Sequence, residues 1–195
     1  MFTGIIEDQG VVLGLEVNRE NLNITLSSKL TSEFKIDQSV SHNGICLTIV
    51  EIKDSAYTVT AIKETIAKTN IGKWQIGEVV NLERAMIIGA RLDGHMIQGH
   101  IDQVGECFKI DKTNGSWEYT FQYSPSDNLT VEKGSIAVNG ISLTVVRSND
   151  NSFSVAIIPY TYNHTNFQNL TIGSVVNLEF DVLGKYLAKM LPKYK

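Results

Sequence analysis

One seven-residue run, Asn43-Gly44-Ile45-Cys46-Leu47-Thr48-Ile49, occurs twice in this chain. It returns as Asn139-Gly140-Ile141-Ser142-Leu143-Thr144-Val145, 96 residues later, with serine in place of cysteine. Carried without a gap from Asn43 to Glu83, that shift gives 19 identities in 41 positions. They include Thr65 with Thr161, Gly77 with Gly173, and Val79-Val80-Asn81-Leu82-Glu83 with Val175-Val176-Asn177-Leu178-Glu179. Copies of this length are too long for solenoid repeats and long enough for two small domains.

Within each copy the pattern is that of short strands. Leu22, Ile24 and Leu26 alternate with Asn23 and Thr25, which marks a strand with one buried face. Residues 11–15, 22–26, 40–41, 47–52, 57–61 and 79–83 read as strands, and so do 105–110, 119–123, 135–138, 143–147, 153–158 and 175–180. Asn43-Gly44 and Asn139-Gly140 are tight-turn dipeptides, because both residue types tolerate positive φ. Residues 28–34 and 64–70 read as short helices. A lone open sheet of this size leaves its edges exposed, so each repeat is expected to close into a β-barrel. The connector from Ala85 to Asp93 has no Pro/Ser-rich stretch, so the barrels should be close neighbours.

After Asp181 the period changes. Leu183, Tyr186, Leu187, Met190 and Leu191 make one apolar helical stripe, stopped by Pro192, with Lys185, Lys189 and Lys193 on other faces. That stripe either packs on the second barrel or joins copies of the chain. The expected units are residues 1–90, 91–182 and a helix at 183–195.

Composition narrows the function. With 17 Lys+Arg against 21 Asp+Glu the net charge is −4, and no basic run offers a nucleic-acid footprint. The N-terminus lacks the pattern of a signal peptide, and no apolar stretch approaches a membrane span. Cys46 and Cys107 fall in different repeats, which fits free thiols in a cytoplasmic protein.

Taken alone, Cys46 reads as a small core residue, although its place just past a turn puts it near a barrel mouth. His95 and His100, each preceded by glycine, are five residues apart, on opposite faces if this is a strand, and lack the spacing of a metal pair. They read instead as pocket histidines able to donate or accept. Thr65 and Thr161 have the look of helix N-caps. Residues for a Ser-His-Asp arrangement exist, but no spacing singles them out.

Several motifs together closely resemble riboflavin synthases of the α-chain type. They are Met1-Phe2-Thr3-Gly4-Ile5-Ile6-Glu7, Asn43-Gly44-Ile45-Cys46-Leu47-Thr48, Lys63-Glu64-Thr65, Val80-Asn81-Leu82-Glu83-Arg84-Ala85, Gly94-His95, Gly99-His100-Ile101-Asp102 and Gly140-Ile141-Ser142-Leu143-Thr144. The resemblance spans both repeats in order. It implies an all-β fold of two tandem six-stranded Greek-key barrels with a short C-terminal helix, assembled as a homotrimer. The implied reaction takes two molecules of 6,7-dimethyl-8-ribityllumazine to riboflavin and 5-amino-6-ribitylamino-uracil by four-carbon transfer, with no cofactor and no metal. One substrate is implied on the N-barrel of one subunit and the other on the C-barrel of its neighbour.

By the same resemblance the N-barrel pocket comprises Gly4, Ile5, Ile6, Cys46, Leu47, Thr48, Thr60, Ala61, Ile62, Lys63, Glu64 and Thr65. The C-barrel pocket comprises Gly99, His100, Ile101, Ser142, Leu143, Thr144, Ala156, Ile157, Ile158, Pro159, Tyr160 and Thr161. Lys133 would reach a substrate held by an adjacent subunit, and Ser39, Cys46 and His100 match catalytic positions. Asp93 and Gln98 depart from the usual glycine and serine. Some relatives associate with lumazine synthase. A non-catalytic lumazine- or flavin-binding antenna protein of the same family is the alternative; the presence of Cys46, His100, Ser142 and Thr144 favours the enzyme.

Overall fold

A computed structural model describes residues 1–190. Twelve antiparallel strands form two closed barrels of identical plan. The first contains β1 (Asp8–Asn18), β2 (Asn21–Ser27), β3 (Ser39–His42), β4 (Ile45–Lys53), β5 (Ala56–Ala61) and β6 (Val79–Arg84), in the cyclic order β1-β2-β5-β4-β3-β6. The second contains β7 (Gln103–Thr113), β8 (Ser116–Tyr123), β9 (Ser135–Val138), β10 (Ile141–Ser148), β11 (Ser152–Ile157) and β12 (Val175–Phe180), in the matching order. Three hairpin-linked strands, with a neighbour brought back by a long connection, make this a Greek key.

The local reasons for closure also repeat. Register shifts fall between Val12 and Gly14 in β1 and between Cys107 and Lys109 in β7. A second pair falls between Ile49 and Glu51 in β4 and between Val145 and Arg147 in β10. Such bulges bend a strand and raise its twist, which a small barrel needs. Inward positions then fill each interior. The first core is mainly aliphatic, around Ile24, Leu26, Ile49, Val59, Val80 and Leu82. The second is more aromatic, around Tyr119, Phe121, Phe153, Phe167 and Phe180.

Short helices follow the fifth strand of each barrel: α1 (Lys63–Lys68) and α2 (Pro159–His164), each running into a 3-10 turn. Thr65 and Thr161 are therefore not N-caps. The cap positions belong to Ile62 and Ile158, whose extended backbones make no side-chain cap bond, and Pro159 suits the first helical position. Thr65 and Thr161 instead give their carbonyls to Thr69 and Thr165 Oγ1, at 2.7 and 2.6 Å.

The barrels meet about a pseudo-twofold axis. Asn43 and Asn139 take positive φ in their turns, as do Gly44 and Gly140. Buried asparagines join the two halves. Asn81 Nδ2 donates to the Asn139 carbonyl at 3.1 Å and to Asn166 Oδ1 at 2.9 Å, while Asn177 Nδ2 donates to the Asn43 carbonyl at 2.9 Å. Satisfied amide networks of this kind fix one relative placement, since any other leaves buried polar groups unpaired.

The last helix, α3 (Val182–Met190), is tied to the second barrel through Lys185 Nζ, which lies 2.9 and 3.0 Å from the Asp102 carboxylate oxygens. Its apolar stripe is not covered by that barrel: Leu183, Tyr186, Leu187 and Met190 are 60–77% exposed. Leu191, Pro192 and Lys193 lie outside the described residues. No helix of the described residues is long and apolar enough to cross a membrane.

Candidate active site

Cys46 opens β4 just past its turn. Its N–H donates to the Gly99 carbonyl at 2.9 Å. Gly99 has a φ of +83°, and a Cβ there would stand 2.5 Å from the Cys46 Cβ, so only glycine permits this approach. The other side of the same segment rests on Glu179 of β12. That carboxylate accepts the N–H groups of Gln98, Gly99 and His100 at 2.6, 2.9 and 2.9 Å. Burial pushes its pKa up, against the pull of those three donors. The result is a cavity of about 410 Å³ lined by Cys46, Ile62, Glu64, Thr65, His100 and Ile101, among others.

The second cup repeats the scaffold with different chemistry. Ser142 N–H donates to the Gly4 carbonyl at 2.9 Å, and a Cβ on Gly4 would stand 2.5 Å from the Ser142 Cβ. Glu83 of β6 accepts from Thr3 N–H, Thr3 Oγ1 and Gly4 N–H at 2.6, 2.7 and 2.9 Å. Ile6 packs on the second core and Ile101 on the first.

This arrangement corrects the expected pockets. The two lead-in segments are exchanged: Gly4, Ile5 and Ile6 belong with Ser142, while Gly99, His100 and Ile101 belong with Cys46. The physical reason is that each segment lies between the barrels. It gives its N–H groups to a glutamate of its own barrel and its carbonyl to the hairpin of the other.

The remaining predicted residues divide by their strand register. Ser39 pairs with Thr48 and Ser41 with Cys46, so these four share the face turned away from the core. Leu47, Ala61 and Ile157 are core side chains that can offer only backbone to a ligand, and Leu143 packs partly on the second core. Thr60 Oγ1 is engaged by Asn23 Oδ1 at 2.8 Å, and Ala156 faces outward from β11. Thr144 is exposed on β10, two residues beyond Ser142. Exposed Ile62 and Ile158 stand at matching cup rims. Beside them the helices differ: Glu64 pairs with Lys68 at 3.0 Å, whereas Tyr160 stacks on His164 with centroids 4.1 Å apart. Lys63 points to Glu20. Lys133 stands exposed at a left-handed turn before β9, its N–H on the Val145 carbonyl.

Residues 94–100 form no strand beyond an isolated Phe2–Ile97 bridge, so the two histidines are not arranged as strand faces. His100 lines the first cup, and His95 is buried with Nδ1 2.6 Å from Ser142 Oγ. The other thiol, Cys107, is pushed up to about 11 by burial and is unsuited to nucleophilic work near neutral pH. The anchoring carboxylates were missed by sequence reasoning, although their signal was present: Glu83 and Glu179 end the repeated Val-Val-Asn-Leu-Glu run.

This duplicated barrel with its two cups is a lumazine-binding protein. The family model described as the lumazine binding domain matches twice, over residues 3–85 and 98–181. Over 195 residues the chain is 40% identical to the riboflavin synthase of Actinobacillus pleuropneumoniae and 36% identical to that of Bacillus subtilis, covering 99% of this chain and 91% of each relative. The Mycobacterium tuberculosis riboflavin synthase is 37% identical, with 98% of both chains covered. LumP complexed with 6,7-dimethyl-8-(1'-D-ribityl) lumazine superposes with a TM-score of 0.84 over 92% of this chain and 98% of that one, at 22% identity, which speaks for the fold. The chain belongs to the riboflavin synthase family of lumazine-binding proteins.

Proposed function

We propose that this protein converts two molecules of 6,7-dimethyl-8-ribityllumazine into riboflavin and 5-amino-6-ribitylamino-uracil. The observation that carries the reading is the pair of cups: one backbone scaffold built twice, with unlike reactive groups. The first cup offers a thiol, an imidazole and a carboxylate, from Cys46, His100 and Glu64. At the equivalent positions the second offers a hydroxyl, an isoleucine and a phenol, from Ser142, Ile5 and Tyr160. A reaction that joins two identical molecules needs similar holders, and a donor and an acceptor need unequal ones.

Holding both substrates in register turns an encounter into an effectively intramolecular step, worth on the order of 7–11 kcal/mol. The 7-methyl group of lumazine is acidic because its carbanion delocalises into the ring. One bound molecule loses that proton while the other accepts a nucleophile from Cys46, Ser39 or water, with His100 moving protons between them. The cups that face each other come from neighbouring subunits of a homotrimer, with the uncovered stripe of α3 as its seam and Lys133 reaching across. The compartment is the cytoplasm, and a complex with lumazine synthase is a further expectation.

Incubation of purified protein with the lumazine tests this. Riboflavin and the pyrimidine should appear in equal amounts, two lumazines being consumed for each riboflavin. Binding without turnover would instead mark the antenna reading.

A further inference from the structure

Ser142 does not stand alone in its cup. His95, 8% exposed, directs Nδ1 at Ser142 Oγ from 2.6 Å. The histidine is fixed by its own N–H, which donates to the Thr3 carbonyl at 3.1 Å. Gly94 makes the closeness possible: a Cβ there would stand 2.0 Å from the Thr3 carbonyl oxygen and 2.9 Å from the Ser142 Cβ. Asp181, the residue after β12, accepts the Leu183 N–H on Oδ1 at 3.0 Å and acts on the ring only through its charge. Burial holds the pKa of His95 down, and Asp181 pulls it partly back. Glu83 of β6, which holds the N-terminal segment, is occupied by Thr3 and Gly4. The ring is therefore neutral near pH 7. The first cup draws its imidazole from elsewhere, since His100 occupies the repeat position that Ile5 holds in the second.

We propose that His95 is a positioning residue that makes the Ser142 hydroxyl a proton relay for the lumazine seated in the second cup. This rests on the function proposed above. With the ring proton on Nε2, Nδ1 accepts the Ser142 hydroxyl. As Ser142 Oγ takes a proton from the 7-methyl carbon of the bound lumazine, its own hydroxyl proton passes to Nδ1. The substrate becomes the delocalised carbanion and the ring an imidazolium, whose charge Asp181 favours. The proton returns along the same path later in the reaction, so no net proton is consumed. The spacing of residues 95 and 142 gives no hint of it, because the two meet only once the second barrel has closed.

The test is steady-state turnover of 6,7-dimethyl-8-ribityllumazine by the wild type, His95→Asn, His95→Gln, Ser142→Ala and the double variant His95→Gln/Ser142→Ala, each checked for folding by thermal melt. Loss of a group acting in acid–base catalysis should lower kcat about 100-fold in each single variant. KM should stay within about threefold, because the lost interaction is made in the transition state. The double variant should be no slower than Ser142→Ala alone. Wild-type kcat in a folded His95 variant, or losses that multiply in the double variant, would overturn the relay. Should neither His95 variant fold, wild-type kcat in Ser142→Ala overturns it equally. Absence of riboflavin from the wild type would overturn both readings, whereas wild-type turnover with unaffected variants overturns the relay alone.

Discussion

Gly44 and Gly140 meet backbone to backbone where the barrels join: a Cβ on Gly44 would stand 2.8 Å from the Gly140 nitrogen, and one on Gly140 would stand 2.6 Å from the Gly44 nitrogen. Both residues also take positive φ. Gly44→Ala should therefore combine a strained backbone, about 1–2 kcal/mol, with a clash costing a further 1–3 kcal/mol or so. Gly77→Ala is the control, because Gly77 has positive φ and open space around it. Urea unfolding should show the larger loss at Gly44, and equal losses would contradict this account of the interface.

His42 carries a pH dependence into the first core. It is buried, with Nε2 2.9 Å from the Tyr57 hydroxyl and Nδ1 3.0 Å from the Val40 carbonyl, and burial pushes its pKa down to about 4. Between that value and 6.5 the unfolded chain binds the extra proton, so stability falls as pH drops through this window. The loss at pH 5 is about 2 kcal/mol. The raised pKa values of Glu83 and Glu179 act in the opposite sense on acidification, so the contribution is read as a difference from His42→Gln. Denaturation curves of the two proteins should converge as pH falls from 7 to 5, and parallel curves would rule it out.

The strands and their repeat were legible because period-two alternation and Asn-Gly turns act locally. The exchange of the lead-in segments was not. Gly4 and Gly99 precede their own barrels in sequence, and nothing in a single segment tells which hairpin its carbonyl will meet. Likewise Thr65 looked like a cap because threonine prefers that place, yet Ile62 holds it through the extended backbone that ends β5. Cys46 and His100, 54 positions apart in the chain, converge only once Glu179 has gathered the segment from 98 to 100.

The uncovered stripe of α3 predicts an assembly defect. Leu187→Asp should leave each barrel as stable as before, since Leu187 is 60% exposed in the single chain. It should also shift the protein towards monomer in analytical ultracentrifugation and lower riboflavin formation with it. A monomer with full activity would remove the shared site.

Turnover should depend on both reactive groups of the first cup. Cys46→Ala and His100→Ala are each expected to reduce kcat about 100-fold or more, the range for a lost acid–base or nucleophilic group. Single-turnover kinetics would separate this from slower product release. Near wild-type rates in either variant would strike that residue from the mechanism.

Equilibrium titration with a lumazine analogue that lacks the 7-methyl group, and so cannot react, bears most directly on the two cups. Wild type should bind two equivalents per chain. Glu179→Gln should lose the site that Cys46→Ala perturbs, and Glu83→Gln the site that Ser142→Ala perturbs. One equivalent per wild-type chain, or both glutamine variants emptying the same site, would contradict the exchanged, paired cups.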